Sequence, residues 1–168
     1  MGPLSIQGEY QISALDRSID LTDGSSILEK QINSNFSAYY AYASFFLTKG
    51  DHRFYEPGSG TFVRMKPQKN YGERGLGAIE LAFRYSSLNL IDGQDVIREG
   101  TFLGSSLIAG GRVTDYTLGL NWYLTPNTRI MFNYVYSNLS KEEIGHGPEN
   151  ISKIGNAGFF RTRFQIDF

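Results

Sequence analysis

In the stretch "YTLGLNWYL", apolar side chains stand at Tyr116, Leu118, Leu120, Trp122 and Leu124, with Thr117, Gly119 and Asn121 between them. A period of two puts all five on one face of a strand, whereas 3.6 residues per turn would scatter them around a helix. The next stretch, "TRIMFNYVYSNLS", places Ile130, Phe132, Tyr134 and Tyr136 on one face and Arg129, Asn133 and Ser137 on the other. Only "TPNT", Thr125 to Thr128, lies between them, with Pro and Asn where a tight hairpin turn uses them. Upstream, "GAIELAFRYSSLNL" alternates Ile79, Leu81, Phe83 and Tyr85 against Glu80, Ala82, Arg84 and Ser86. The opening segment sets Leu4, Ile6, Tyr10 and Ile12 against Ser5, Gln7, Glu9 and Gln11. The closing one, "FFRTRFQIDF", sets Phe160, Phe164, Ile166 and Phe168 against Arg161 and Arg163. The stretch from Phe36 to Leu47 is apolar on both faces, so its parity stays open. The pattern thus predicts six long strands.

Their connections differ in length. Segments 17–33, 91–110 and 141–157 carry Gly, Asp, Ser, Asn, Glu and Lys and read as long loops, whereas "TPNT" is minimal. Long connections at one end and short turns at the other suit a transmembrane barrel. Segment 49–76 is the exception, a long connection on the short-turn side, with a brief extra strand expected around Thr61 to Met65.

Composition narrows the class. Apolar content of 40% with 14% aromatic argues against disorder, and 19 glycines, 11 tyrosines and 12 phenylalanines suit strands and turns. A net charge of −1 gives no general affinity for nucleic acid. The absence of cysteine removes disulfides and thiolate metal sites. No run reaches the roughly 18 apolar residues of a membrane-spanning helix, and "MGPLSIQGEY" lacks the basic start and apolar block of a signal peptide. Other chemistry is thin. His52 and His146, the two histidines, read as loop residues and not as a metal site. "GLGAIE" precedes a strand and lacks a third glycine, so it is no dinucleotide loop. No Gly-x-Ser-x-Gly elbow occurs. The expectation is a non-enzymatic protein without cofactor or metal.

Alternation has two readings. In a soluble β-barrel binding module for an apolar ligand, the greasy face is the core. In an outer-membrane barrel it meets lipid, and the polar face lines water. Three features favour the membrane. Strands of about 9 to 13 residues suit a tilted crossing of the bilayer. Tyr and Trp gather toward strand ends, as in "NWYL" and "YVYSN". The last strand, ending on Phe168, looks like the terminal signal that the barrel-assembly machinery of bacterial outer-membrane proteins recognises, carried here by Phe164, Ile166 and Phe168. The expected fold is all-β: an antiparallel transmembrane β-barrel meander, incomplete, open, with residues 1–168 as the C-terminal portion of one barrel domain. Its first and last strands would be edges. On this parity Leu118, Leu120, Phe132 and Ile166 face lipid, while Asn121 faces water and tolerates replacement.

The blocks "YASFFLTKGDHRFYEP", "TFVRMKP", "GAIELAFRYSSLNL", "TDYTLGLNWYLTPNTRIMFNY" and "RFQIDF", in that order, resemble the C-terminal part of the phosphate-selective porin O and P family over roughly residues 34–168. The resemblance implies a homotrimeric channel in the Gram-negative outer membrane, with about sixteen strands per subunit and a basic pore for small anions such as phosphate. The chain resembles less than half of a full member. Read independently, the inward parity carries Arg84, Arg129, Arg161 and Arg163 against Glu9, Glu80 and Asp167, a slightly positive balance. Those arginines are the pore-lining candidates, because fixed cations in a narrow aqueous path favour anions.

Overall fold

The computed structural model describes residues 2–22, 27–72, 74–92, 95–98, 101–105, 108–142 and 151–168. Among these residues ten strands follow in chain order: β1 Leu4–Thr22, β2 Ile27–Phe46, β3 Tyr55–Glu56, β4 Thr61–Phe62, β5 Ala78–Asp92, β6 Asp95–Arg98, β7 Thr101–Ser105, β8 Ile108–Thr125, β9 Thr128–Glu142 and β10 Ile151–Ile166. The six long ones form one antiparallel sheet in the order β1-β2-β5-β8-β9-β10, a meander whose ends are β1 and β10. Those two strands do not pair with each other, so the sheet is open, as the sequence predicts.

Register carries the two faces intact across the sheet. One transverse row runs Leu4, Phe45, Leu81, Leu120, Phe132 and Thr162, and the next runs Ile6, Ala43, Phe83, Leu118, Tyr134 and Phe160. On the other face, Ser5, Ser44, Ala82, Gly119, Asn133 and Arg161 form a row of their own. The ambiguous segment is resolved by this ladder: Tyr39, Ala41, Ala43 and Phe45 join the apolar face, and Tyr40, Tyr42 and Ser44 the polar one.

The apolar face is not a core. Leu118 is 52% exposed and Phe132 44%, and Leu4, Ile6, Phe83 and Phe160 stand open beside them. Among the described residues the buried apolar cluster is small, Phe46, Met65, Ala78 and Tyr123, and it lies at the turn end. A binding module that encloses an apolar ligand would place Leu118 and Phe132 inside, so this arrangement disfavours it. Tyrosines Tyr10, Tyr39, Tyr85 and Tyr116 stack in series on the apolar face, with ring centroids 6.5, 5.9 and 5.2 Å apart. From Tyr116 to Trp122 the outward face of β8 is apolar for roughly 20 Å of strand, with an amphipathic ring at each end.

Two expectations need correction. The long strands run 15 to 20 residues, beyond the expected 9 to 13. Correspondingly, much of the segments read as loops is ladder: β1 and β2 pair continuously past Asp16↔Asn33 to Thr22↔Ile27, β6 pairs with β7, and β10 begins at Ile151. Polar composition does not end a hairpin when each strand still supplies the other's backbone partners. The turn "TPNT" is as short as expected, with β8 ending at Thr125 and β9 starting at Thr128. The extra strand expected near Thr61 to Met65 is the two-residue β4, paired with β3.

Candidate functional site

The polar face is built by the same alternation that exposes the apolar one. All four candidate arginines lie on it: Arg84 is in register with Tyr42 and Thr117, Arg129 with Tyr123 and Gln165, Arg161 with Asn133 and Arg163 with Met131. Arg84 and Arg161 flank one hollow of about 290 Å³, floored by Ala82, Thr117 and Gly119. Its depth comes from small residues. A Cβ on Gly119 would lie 2.7 Å from Asn133 Oδ1. The Arg84 guanidinium sits 4.5 Å over the Tyr40 ring, which holds a long side chain against the wall instead of letting it sweep the open space.

Arg129 lines a second cavity at the turn end, of about 240 Å³. It donates to Gln165 Oε1 from Nε at 3.1 Å and from a terminal nitrogen at 2.8 Å, and Gln165 Nε2 donates to Asp167 Oδ1 at 2.8 Å. Arg163 is exposed and borders neither hollow. The structure therefore gathers Arg84 with Arg161 and places Arg129 apart.

The residues that sequence reading missed belong to segment 49–76. From this segment Arg53 reaches the polar face and grips Glu80 with Nε to Oε1 at 2.7 Å and a terminal nitrogen to Oε2 at 2.9 Å. Glu80 is fully buried. Its Oε2 also accepts from Asn121 Nδ2 at 2.8 Å and from the Tyr123 hydroxyl at 2.9 Å. The guanidinium further contacts the Tyr42 and Tyr123 hydroxyls at 3.4 and 3.3 Å and lies about 6 Å from the Tyr42 and Phe62 rings. Burial by itself would lower the Arg53 pKa; the hydrogen bond and charge of Glu80 outweigh it and hold it above the ordinary value. The pair is a charge-assisted pin between the inserted segment and the wall.

This pin corrects two readings. Asn121 is not a free water-facing residue but a buried donor to Glu80, so its replacement is not mild. Glu80 does not oppose the other arginines of the polar face either, since Arg53 neutralises it, and Arg64 stands 3.7 Å from Asp167. Asp115, in register with Ser86 and Ser137, is an inward acid that the sequence reading did not count, and it accepts from the Ser137 hydroxyl. Glu9 is opposite Tyr40 on the same face.

Phe164 and Ile166 stand exposed on the apolar face, and Phe168 follows the strand fully exposed. His52 Nδ1 lies 3.1 Å from Gly50 O, and its ring lies against Phe54, an ordinary loop arrangement. His146 lies outside the described residues. Among the described residues no group of His, Cys, Asp or Glu could hold a metal ion.

The profile of the family described as phosphate-selective porin O and P matches residues 1–168, further toward the N-terminus than the blocks quoted above. Porin O of Pseudomonas aeruginosa is 28% identical over 168 residues, which is 100% of this chain and 33% of that protein. The chain thus spans about a third of the length of the curated relative it matches. No solved structure matches it.

Proposed function

Since the chain belongs to the phosphate-selective porin O and P family, we propose that its six long strands form part of the wall of a passive outer-membrane channel for small anions, phosphate among them. The family is one of channels rather than enzymes, and membership gives the chain a bacterial outer-membrane localisation. The observation that carries the proposal is the register-long separation of an exposed apolar face from a face bearing Arg84, Arg129, Arg161 and Arg163.

Passage needs no reaction. With Glu80 neutralised by Arg53, the inward carboxylates Glu9, Asp115 and Asp167 stand against four arginines, so the wall attracts anions by Coulomb force that low-dielectric surroundings strengthen. Strands beyond β1 and β10 complete the wall, which agrees with two unpaired edges and with coverage of a third of the relative. A homotrimer, and recognition of Phe164, Ile166 and Phe168 by the barrel-assembly machinery, extend the same reading; the exposure of these three side chains supports it.

The test is the reversal potential of the assembled channel in a salt gradient across a planar bilayer. Arg161→Glu with Arg163→Glu replaces two cations by two anions and should move the potential toward cation preference. An unchanged potential would remove these arginines from the selectivity mechanism.

A further inference from the structure

Segment 49–76 does more than fill the polar side. After Arg53 and Phe62 it passes the turn end of β8, and its last part reaches the outward face. There Tyr71 N–H donates to Leu124 O at 2.8 Å, and Trp122 Nε1 donates to Leu76 O at 2.6 Å. The Tyr71 and Trp122 rings meet edge-on, with centroids 5.4 Å apart at 88°. Trp122 is in register with Ile79 and Ile130, at the lower end of the apolar band. Tyr71 is 53% exposed and Leu76 66%. One connection therefore clasps the rim, pinned inside by Arg53 and outside by an indole whose N–H is already satisfied by backbone.

The outer half of the clasp has a definite chemistry. Residues 66–76 contain Lys66, Lys69 and Arg74 against a single acid, Glu73. Lys69 and Arg74 are exposed; Lys69 precedes the short loop that the Tyr71–Gly75 bridge closes beside Trp122, and Arg74 lies within it. Arg74 holds φ at 58°, a left-handed conformation that glycine or asparagine adopts at less cost.

We propose that Tyr71, Leu76 and Trp122, with Lys69 and Arg74, form a binding site for anionic phospholipid headgroups in the leaflet at the turn end. The inference rests on the membrane reading above. Continuity with the apolar band puts the aromatic pair at the lipid–water boundary, where amphipathic rings settle. The two cations beside it are opposite in sign to the single phosphodiester anion of phosphatidylglycerol and attract it over a zwitterionic lipid.

Trp122 is the one tryptophan in the chain, so its emission reports this rim and nothing else. The assembled channel, with any tryptophan outside this chain replaced by phenylalanine, is placed in phosphatidylcholine vesicles containing phosphatidylglycerol, with a spin label carried near the headgroup of either lipid at equal mole fraction. Labelled phosphatidylglycerol should quench Trp122 several-fold more than labelled phosphatidylcholine, and raised salt should erase the difference. Lys69→Gln with Arg74→Gln should abolish the preference while quenching by labelled phosphatidylcholine persists. Arg74→Gly, which suits the backbone at that position, should weaken the preference without disturbing the fold. Equal quenching by the two labels in the unaltered chain would overturn the lipid site alone. Loss of the preference to inorganic phosphate at constant ionic strength would assign the site to soluble anions and overturn it as well. Absence of quenching by any lipid label would overturn both this site and the outward assignment of the β8 face.

Discussion

At the scale of single residues, the most constrained group in the molecule is the Glu80 carboxylate. It is fully buried, and its ionised form is supported by Arg53, Asn121 and Tyr123 together. Arg53→Met leaves that charge without its counter-ion and should cost about 3 to 5 kcal/mol, read as a loss of unfolding free energy in detergent. The same variant should open segment 49–76 to proteolysis, because its inner pin is gone. Pairing Arg53→Met with Glu80→Met removes both charges and should restore most of the stability. A single variant no worse than an exposed-lysine substitution would mean that the pin does not hold the segment. Gly77 guards the other approach. It sits at φ 73°, and a Cβ there would run into the Tyr123 backbone carbonyl, so a side chain at this position would push β5 and β8 apart next to the pin.

At the scale of elements, the alternation made each long strand and both its faces readable, because a period of two survives any choice of partner. The parity of β2 was unreadable for the same reason. Phe36, Tyr39, Tyr40 and Tyr42 are aromatic on both sides, and only pairing with Leu81 and Glu80 on β5 decides between them. The pin was invisible because Arg53 stands 27 residues before Glu80, on a connection with no period at all. The strand tops were missed because Ser, Asp and Asn look like loop in a list and like ladder once β1 meets β2. The height of β1 makes this testable. Ile6 and Ser18 share a face of that strand, yet Ile6 lies in the apolar band, and Ser18 lies beyond Asp16, whose carboxylate accepts from Asn33 Nδ2 at 2.7 Å. Ile6→Arg should cost about 2 to 4 kcal/mol of folding free energy into lipid vesicles, and Ser18→Arg close to nothing. Similar costs at the two positions would mean that the band does not end at the tyrosine row.

At the scale of the whole molecule, an exposed apolar face and two unpaired edges act together. Strands β5, β8 and β9, and β2 over Ser37–Phe46, have partners on both sides, whereas β1 and β10 each leave alternate backbone groups without one. In water the apolar face drives association, and in hydrocarbon each unpaired N–H or C=O is costly, so neither solvent suits the isolated sheet. In plain buffer the chain should therefore aggregate. In detergent it should stay dispersed, and its amides should divide by strand: uniform slow hydrogen exchange through β5, β8 and β9, and an alternating pattern of fast and slow amides in Leu4–Ala14 and Phe159–Ile166. That alternation follows from geometry, since successive N–H groups of an edge strand point toward the neighbour and away from it. Uniform protection of β1 and β10 in a sample that is monomeric in plain buffer would mean that the two edges pair with each other. The six strands would then enclose their own interior, and the channel-wall reading would fall to a soluble barrel.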